Sequence, residues 1–173
     1  MTTLAYGCVA AEGRTFADPK VIGRKPPGAS KVFNNYRLIY PVTLNDDEIA
    51  ALIESFKEAS VLVKNAGFDA VKIHAGHGCL LSQFLSPYTN RRNDRWGGSA
   101  EKRCCLPASV VEAVRAAVGE DFPILVKMNV SDGISGGLEI EGAPLKRLRH
   151  LRRPEQQPLS PAAVLLRRLH SYL

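Results

Sequence analysis

Residues 71–98, VKIHAGHGCLLSQFLSPYTNRRNDRWGG, constrain the fold of this chain more than any other segment. The segment begins with alternating apolar and polar residues, which is typical of a short strand with one buried face. His74 and His77 follow at the end of this strand, and a polar loop then runs to Gly97 and Gly98. In parallel α/β proteins, polar side chains at the carboxyl ends of strands form the reaction centre. The segment therefore predicts a buried parallel strand with a functional site at its carboxyl end.

A helix is predicted just before this strand. Apolar residues recur at helical spacing over residues 46–65, and Asn45 followed by Glu48 is typical of a capping box at a helix start. The strand itself is predicted at residues 70–74. Because side chains alternate across a strand, we expect its apolar residues to face the helices and His74 to reach the open end of the sheet.

A second helix and a second strand are predicted after the polar loop. The helix spans residues 99–118, with Gly119 just past its end. A proline inside a helix costs about 3 kcal/mol, so we expect the helix to kink or restart at Pro107. The next strand covers residues 123–129 and brings Lys127 to its carboxyl end. Strands that alternate with helices predict an α/β fold with a parallel sheet.

Three groups of residues form a recognisable pattern. They are Gly67-Phe68-Asp69 with Ile73-His74-x-x-His77-Gly78 and Gln83-Phe84-Leu85-Ser86-Pro87, then Asn90-x-Arg92-x-Asp94-x-Trp96-Gly97-Gly98-Ser99-x-Glu101, and finally Glu112-Ala113-Val114-Arg115, Val118-Gly119, Phe122-Pro123-Ile124 and Lys127. This pattern resembles the Old Yellow Enzyme family, which comprises the FMN-dependent NADH:flavin oxidoreductases and ene-reductases. So many positions at one spacing make chance similarity very improbable.

The resemblance implies a TIM (β/α)8 barrel, a fold that usually needs roughly 250 residues. This chain has 173 residues, so we expect a partial barrel with about three parallel strands, the third to the fifth, and the helices between them. The family pattern covers residues 1–138. Residues 139–173 are expected to form an irregular basic tail, rich in Leu, Arg and Pro, outside that pattern.

Composition narrows the remaining possibilities. The net charge of +6 lies wholly in residues 142–173, which hold seven Lys or Arg and one acid. A solvated tail is favoured over a nucleic-acid site, because no aromatic residues interleave these cations. No apolar run approaches the roughly 18 residues of a membrane span, and the first residues lack the basic segment of a signal peptide. Four cysteines without a CxxC motif favour a reducing, cytoplasmic environment.

His74 and His77 are the first candidate catalytic residues. The resemblance implies that both donate hydrogen bonds to the carbonyl or nitro oxygen of an electron-poor alkene, which polarises the double bond for hydride transfer from reduced flavin. Fixed donors of this kind stabilise charge that develops in the transition state. A histidine pair in an ordinary loop is more often structural, but this motif favours the catalytic role.

Cys79 is the third candidate catalytic residue and departs from the family, which usually has a proton-donating Tyr at this position. A thiol has an ordinary pKa of about 8.5 against about 10 for a phenol, so it is chemically able to donate a proton. The thiol is also much shorter than a tyrosine side chain. Either Cys79 delivers the proton, directly or through water, or it is a small buried residue and proton delivery is weak.

Lys127 is the candidate cofactor-binding residue. The resemblance implies that it lies beside N1 and the C2 carbonyl of FMN, where a positive charge stabilises the anionic reduced flavin. The alternative is a lysine at the end of a strand, exposed to solvent.

The leading hypothesis is an FMN-dependent oxidoreductase that reduces electron-poor alkenes with NAD(P)H. The alternative is a catalytically inactive fragment without stable flavin binding, because the strands that hold the FMN phosphate in the family are expected to be missing. A third hypothesis is an interaction module that acts through the basic tail. No metal is expected, because the spacing of His74, His77 and Cys79 fits no standard zinc pattern and no fourth ligand is evident.

Overall fold

The computed structural model describes residues 6–9, 25–33, 39–139 and 162–167. The strands are β1 (Tyr6–Val9), β2 (Pro27–Gly28), β3 (Val42–Thr43), β4 (Ala70–Ala75), β5 (Ile124–Asn129) and β6 (Ala162–Arg167). The helices are α1 (Asp46–Asn65), α2 (Leu80–Leu85), α3 (Ala100–Arg103) and α4 (Cys105–Val118). None of the helices in these described ranges combines the length and hydrophobicity that a membrane crossing needs.

The main sheet has four parallel strands in the order β1-β4-β5-β6. Across the sheet its strands follow the order of the chain. The separate β2–β3 pair and α1 lie between β1 and β4, and the other three helices lie between β4 and β5. This succession is that of consecutive strands in a barrel wall. The predicted partial α/β barrel with parallel strands and intervening helices is confirmed.

One part of that prediction is wrong, because residues 162–167 belong to a strand and not to an irregular tail. They form β6, which pairs with β5 from Ile124 opposite Ala162 to Asn129 opposite Arg167. The sequence of β6, AAVLLR, is a short apolar run. Such a run suits a strand in a parallel sheet, but its periodicity alone does not distinguish it from a segment of helix. The division into residues 1–138 and 139–173 stays a prediction.

Helix α1 begins and ends where the sequence predicts. The side chain of Asn45 accepts a hydrogen bond from the Glu48 backbone N–H at 2.9 Å, and the Glu48 carboxylate accepts one from the Asn45 N–H at 2.8 Å. This capping box satisfies N–H groups that a helix start leaves without partners. Ile49 and Phe56 on the inner face of α1 are buried, and α1 packs mainly on α4.

The restart predicted at Pro107 is also observed. Helix α3 ends at Arg103, Cys104 forms a turn, and Pro107 is the third residue of α4. A proline is tolerated there because the first N–H groups of a helix have no partner within it. Helix α4 ends at Val118 and is followed by Gly119, which has φ 82°, a conformation that glycine adopts without strain.

The apolar residues of β4 and β5 face the helices, as the alternation predicts. Val71, Ile73, Ile124 and Val126 lie in the hydrophobic core with residues of the helices. On the opposite face, the side chains of Lys72, Leu125 and Lys127 are half-buried. The helices therefore cover one face, and the polar side chains of β4 and β5 lie on the other.

Candidate active site

The structure brings together the two histidines that the sequence singles out. His74 lies near the carboxyl end of β4 and is only 9% exposed, whereas His77 follows the strand and is exposed. Their ring centroids are 5.0 Å apart, with the planes at 61°. Two imidazoles at this separation can both donate hydrogen bonds to one small group placed between them.

His77 has an unusual backbone conformation. Its φ is 56°, and it is the one non-glycine residue with positive φ in the described part of the chain. A left-handed conformation costs roughly 1–2 kcal/mol in a residue with a Cβ, and such strain gathers at functional sites. Gly78 follows with φ 73°, so the chain turns sharply between the two histidines and α2.

Asn129 holds this turn and was not predicted from the sequence. It is the last residue of β5 and 6% exposed, and its side-chain oxygen Oδ1 accepts a hydrogen bond from the His77 N–H at 3.1 Å. Its Nδ2 donates to Asp132 Oδ1 at 3.3 Å. A signal was present in the sequence, because Asn129 is a polar residue at the carboxyl end of a predicted strand, which is where active-site residues gather.

Gly76 allows this contact by its lack of a side chain. A Cβ at Gly76 would lie 3.0 Å from Asn129 Oδ1 and 3.6 Å from His74 Cε1. The first distance is tighter than ordinary van der Waals contact, so a side chain at this position would displace the Asn129 amide. Gly76 therefore lets the ends of β4 and β5 approach each other closely.

Lys127 is the register partner of His74 across the β4–β5 ladder. Paired residues in neighbouring strands point to the same face and lie about 4.8 Å apart along the hydrogen-bonding direction. The Lys127 side chain is half-buried, so this end of the sheet carries a cation beside an imidazole. Its role in cofactor binding stays a prediction.

Cys79 lies two residues after His77, at the residue that precedes α2. Its carbonyl accepts hydrogen bonds from Ser82 Oγ at 2.8 Å and from the Gln83 N–H at 3.0 Å. The side chain is half-buried and makes no capping bond to the helix. The backbone geometry is that of an ordinary helix start, and the proton-donor role of Cys79 stays a prediction.

The polar loop after α2 is held by Asn90. This side chain is 4% exposed, and its Nδ2 donates to the carbonyls of Phe84 and Trp96, each at 2.8 Å. Its Oδ1 accepts a hydrogen bond from the Arg92 N–H at 3.2 Å. Three bonds from one buried amide fix the loop on α2, which begins directly after the histidine turn.

Arg92 and Asp94 form an ion pair within the polar loop. Arg92 Nη2 lies 2.6 Å from Asp94 Oδ2, and its Nη1 donates to the Leu44 carbonyl at 2.7 Å. The hydrogen bonds from the Arg92 side chain hold the pKa of Asp94 below its usual value. A Cβ at Gly97 would lie 2.5 Å from Arg92 Cβ, so only glycine fits where the loop crosses this pair.

The donor set at the end of β4 and β5 fits FMN in its chemistry. The face that carries His74 also carries Lys72 and Lys127, both half-buried, and has two imidazoles at its edge. Cations and N–H donors favour a group that becomes anionic on reduction. Lys127 and the histidines are therefore the described residues suited to contact a flavin or its reaction partner.

Comparisons with known proteins agree in the family they indicate. A model of the NADH:flavin oxidoreductase / NADH oxidase family matches residues 10–155. The chain is 38% identical over 119 residues to the NADH oxidase of Thermoanaerobacter brockii. This aligned stretch covers 69% of this chain and 18% of that protein. The chain is 43% identical over 101 residues to the NADPH dehydrogenase of Listeria welshimeri, covering 58% of this chain and 29% of that protein. The chain thus spans less than a third of the length of either relative.

A solved structure shares both fold and sequence. The old yellow enzyme homologue from Zymomonas mobilis superposes with a TM-score of 0.69 at 28% identity, covering 80% of this chain and 41% of that one. The described sheet and helices therefore correspond to part of the fold of that protein.

Proposed function

Because this chain belongs to the NADH:flavin oxidoreductase / NADH oxidase family, we propose that it reduces the C=C bond of electron-poor alkenes with NAD(P)H as reductant and FMN as bound cofactor. The observation that carries the proposal is the pair of imidazoles at the end of β4, with ring centroids 5.0 Å apart. The resemblance of the sequence assigns this pair to the polarisation of an alkene.

The histidines act as hydrogen-bond donors to the substrate. A neutral imidazole carries one N–H and a protonated imidazole carries two, so His74 and His77 supply at least one donor each. Both aim at the carbonyl or nitro oxygen that is conjugated with the double bond. Negative charge builds up on that oxygen as the β-carbon accepts hydride, and donors fixed beforehand stabilise it without reorganisation.

Lys127 stabilises negative charge at the cofactor. When bound, FMN accepts hydride from NAD(P)H and supplies it to the alkene. Lys127 is the cationic residue opposite His74 in the register of β4 and β5, and a positive charge there favours the reduced, anionic form of the group. This neighbourhood supports placing cofactor and substrate together at the carboxyl ends of β4 and β5.

The proposal is tested with the full chain and added FMN. We expect flavin fluorescence to be quenched on titration, and NAD(P)H to be consumed with formation of the saturated ketone from 2-cyclohexen-1-one. The enzyme-free flavin solution is the control for non-enzymatic turnover. FMN binding without any saturated product would contradict the proposed reaction, whereas no FMN binding at all would favour the inactive fragment.

Cys79→Tyr tests the origin of the proton. A phenol reaches farther than a thiol, and a well-placed general acid contributes about 10²–10⁴-fold to a rate. If proton delivery limits the reaction in this chain, we expect the substitution to raise alkene reduction by roughly tenfold or more. NAD(P)H oxidation in air, which needs no alkene, should stay unchanged.

Cys79→Phe is the matched control, because it adds the same ring without the hydroxyl group. A rise in alkene reduction in both variants, or an equal rise in alkene reduction and air oxidation for Cys79→Tyr, would show that the hydroxyl is not delivering a proton.

A further inference from the structure

We propose that Asn129 and Asp132 are positioning residues that hold the His77 backbone in its left-handed conformation and so keep the His77 ring beside His74. This inference rests on the proposed function only for its catalytic consequence. The geometry itself involves no cofactor or substrate.

The conformation of His77 needs an external constraint. Its φ of 56° lies in a region that residues with a Cβ enter only when neighbouring groups hold them there. The N–H of His77 donates to Asn129 Oδ1 at 3.1 Å, across the gap between the ends of β4 and β5. A residue 52 positions away in the chain therefore supplies the contact that fixes this peptide.

Asp132 sets the orientation of the Asn129 amide. Asn129 Nδ2 donates to Asp132 Oδ1 at 3.3 Å, so the opposite atom, Oδ1, faces His77. A rotated amide would place its NH₂ group against the His77 N–H and its oxygen against the Asp132 carboxylate. Because Asn129 is 6% exposed, little water is present to compensate for the lost bonds, and the rotated state is disfavoured.

Asp132 is in turn held by the loop that follows β5. Its Oδ2 accepts the Leu138 N–H at 2.7 Å, and its own N–H donates to the Leu138 carbonyl at 2.9 Å. Ser131 Oγ donates to Glu139 Oε1 at 2.9 Å and closes the same loop. The hydrogen bonds thus run without a break from this loop through Asp132 and Asn129 to the peptide of His77.

The test exchanges the two side chains. In Asn129→Asp the carboxylate still accepts from His77 but meets the carboxylate of Asp132 without a proton between them. In Asp132→Asn one of the two carboxylate oxygens becomes an NH₂ group, and because Asn129 and Leu138 donate to different oxygens, one of these two bonds is lost. In the double variant, aspartate at 129 accepts from His77 and from the new amide at 132, whose oxygen accepts from Leu138. All three hydrogen bonds are then restored.

The primary measurement is the NMR signal of the His77 backbone amide and of both imidazole rings in the chain without FMN. We expect Asn129→Asp to shift these signals and the double variant to return them toward the wild-type positions. In the FMN-loaded protein, kcat for alkene reduction should fall about 10- to 100-fold in Asn129→Asp, as expected for a misplaced catalytic group, and recover in the double variant. NAD(P)H oxidation in air should change little.

Ser131→Ala is the control for general loosening of the loop, because it removes the bond to Glu139 and the bond from the Gly133 N–H but leaves the Asn129–Asp132 pair in place. Unchanged histidine signals in Asn129→Asp, or a double variant no closer to wild type than that single variant, would overturn the inference. Because the NMR measurement needs no turnover, shifted signals in a chain without alkene reductase activity would refute the proposed function and leave the positioning role standing.

Discussion

Alanine at both His74 and His77 is expected to lower kcat/KM for alkene reduction by about 10³-fold. Loss of a single preorganised donor to a developing oxyanion typically costs about 10²–10³-fold, and two donors to one oxygen act as a unit, so their effects are not simply multiplied. The structure places both rings at the same end of β4 with centroids 5.0 Å apart. The measurement is the rate of alkene consumption at limiting substrate in the FMN-loaded protein.

Two comparisons distinguish the loss of alkene polarisation from a general loss of enzyme activity. NAD(P)H oxidation in air should stay within a few-fold of wild type, because it uses no polarised alkene. His77→Asn should retain much of the activity, since asparagine tolerates a left-handed backbone and carries an N–H donor. If the double alanine variant lost air oxidation and alkene reduction to the same extent, the histidines would be structural and the proposed polarisation would be wrong.

Phe84→Ala is expected to reduce the free energy of unfolding by about 3–5 kcal/mol, the usual range for truncation of a buried aromatic ring. Phe84 is 0% exposed on α2, and the Arg92 guanidinium lies 5.8 Å from its ring centroid. Its carbonyl also accepts the Asn90 amide that holds the polar loop. Truncation therefore leaves a cavity in the core, next to the residues that hold the polar loop. Urea denaturation followed by circular dichroism measures the change.

Leu62→Ala is the matched control, because Leu62 lies on α1 but is 69% exposed and should change stability by no more than about 0.5 kcal/mol. The net stability of a domain is only about 5–15 kcal/mol, so Phe84→Leu serves as a milder variant if Phe84→Ala does not fold. Similar losses in Leu62→Ala and the Phe84 variants would show that Phe84 is not a central core residue.

Elements with local signals were predictable from the sequence. Helix α1 has its capping box within four residues of sequence, Asn45 to Glu48, and the break before α4 follows from Pro107, whose ring excludes a continuous helix. Strands β4 and β5 lie where the sequence predicts, although burial alternates only along β5, from Ile124 to Met128, whereas in β4 every residue except Lys72 is buried. In each case the physical cause lies within one turn of helix or a few residues of strand.

Strand β6 and the His77 turn were not predictable in the same way. The run AAVLLR is a strand because it pairs with β5 at the edge of the sheet. The sequence of the run does not reveal that partner. The left-handed conformation of His77 depends on Asn129 Oδ1, which comes from the next strand. Non-glycine residues seldom adopt a left-handed conformation, so the local backbone preference of His77 did not predict it.

The sequence by itself determined the family, the helices and strands with local signals (α1, β4, α4 and β5), and the residue types available for chemistry, because motif spacing and periodicity are local properties of the chain. Only the tertiary structure decided that Lys127 is the neighbour of His74 and that Asn129 and Asp132 hold His77. Those relations depend on the register between two parallel strands about 50 residues apart. Register is set by how the sheet packs against its helices, and no single segment of the sequence contains that information.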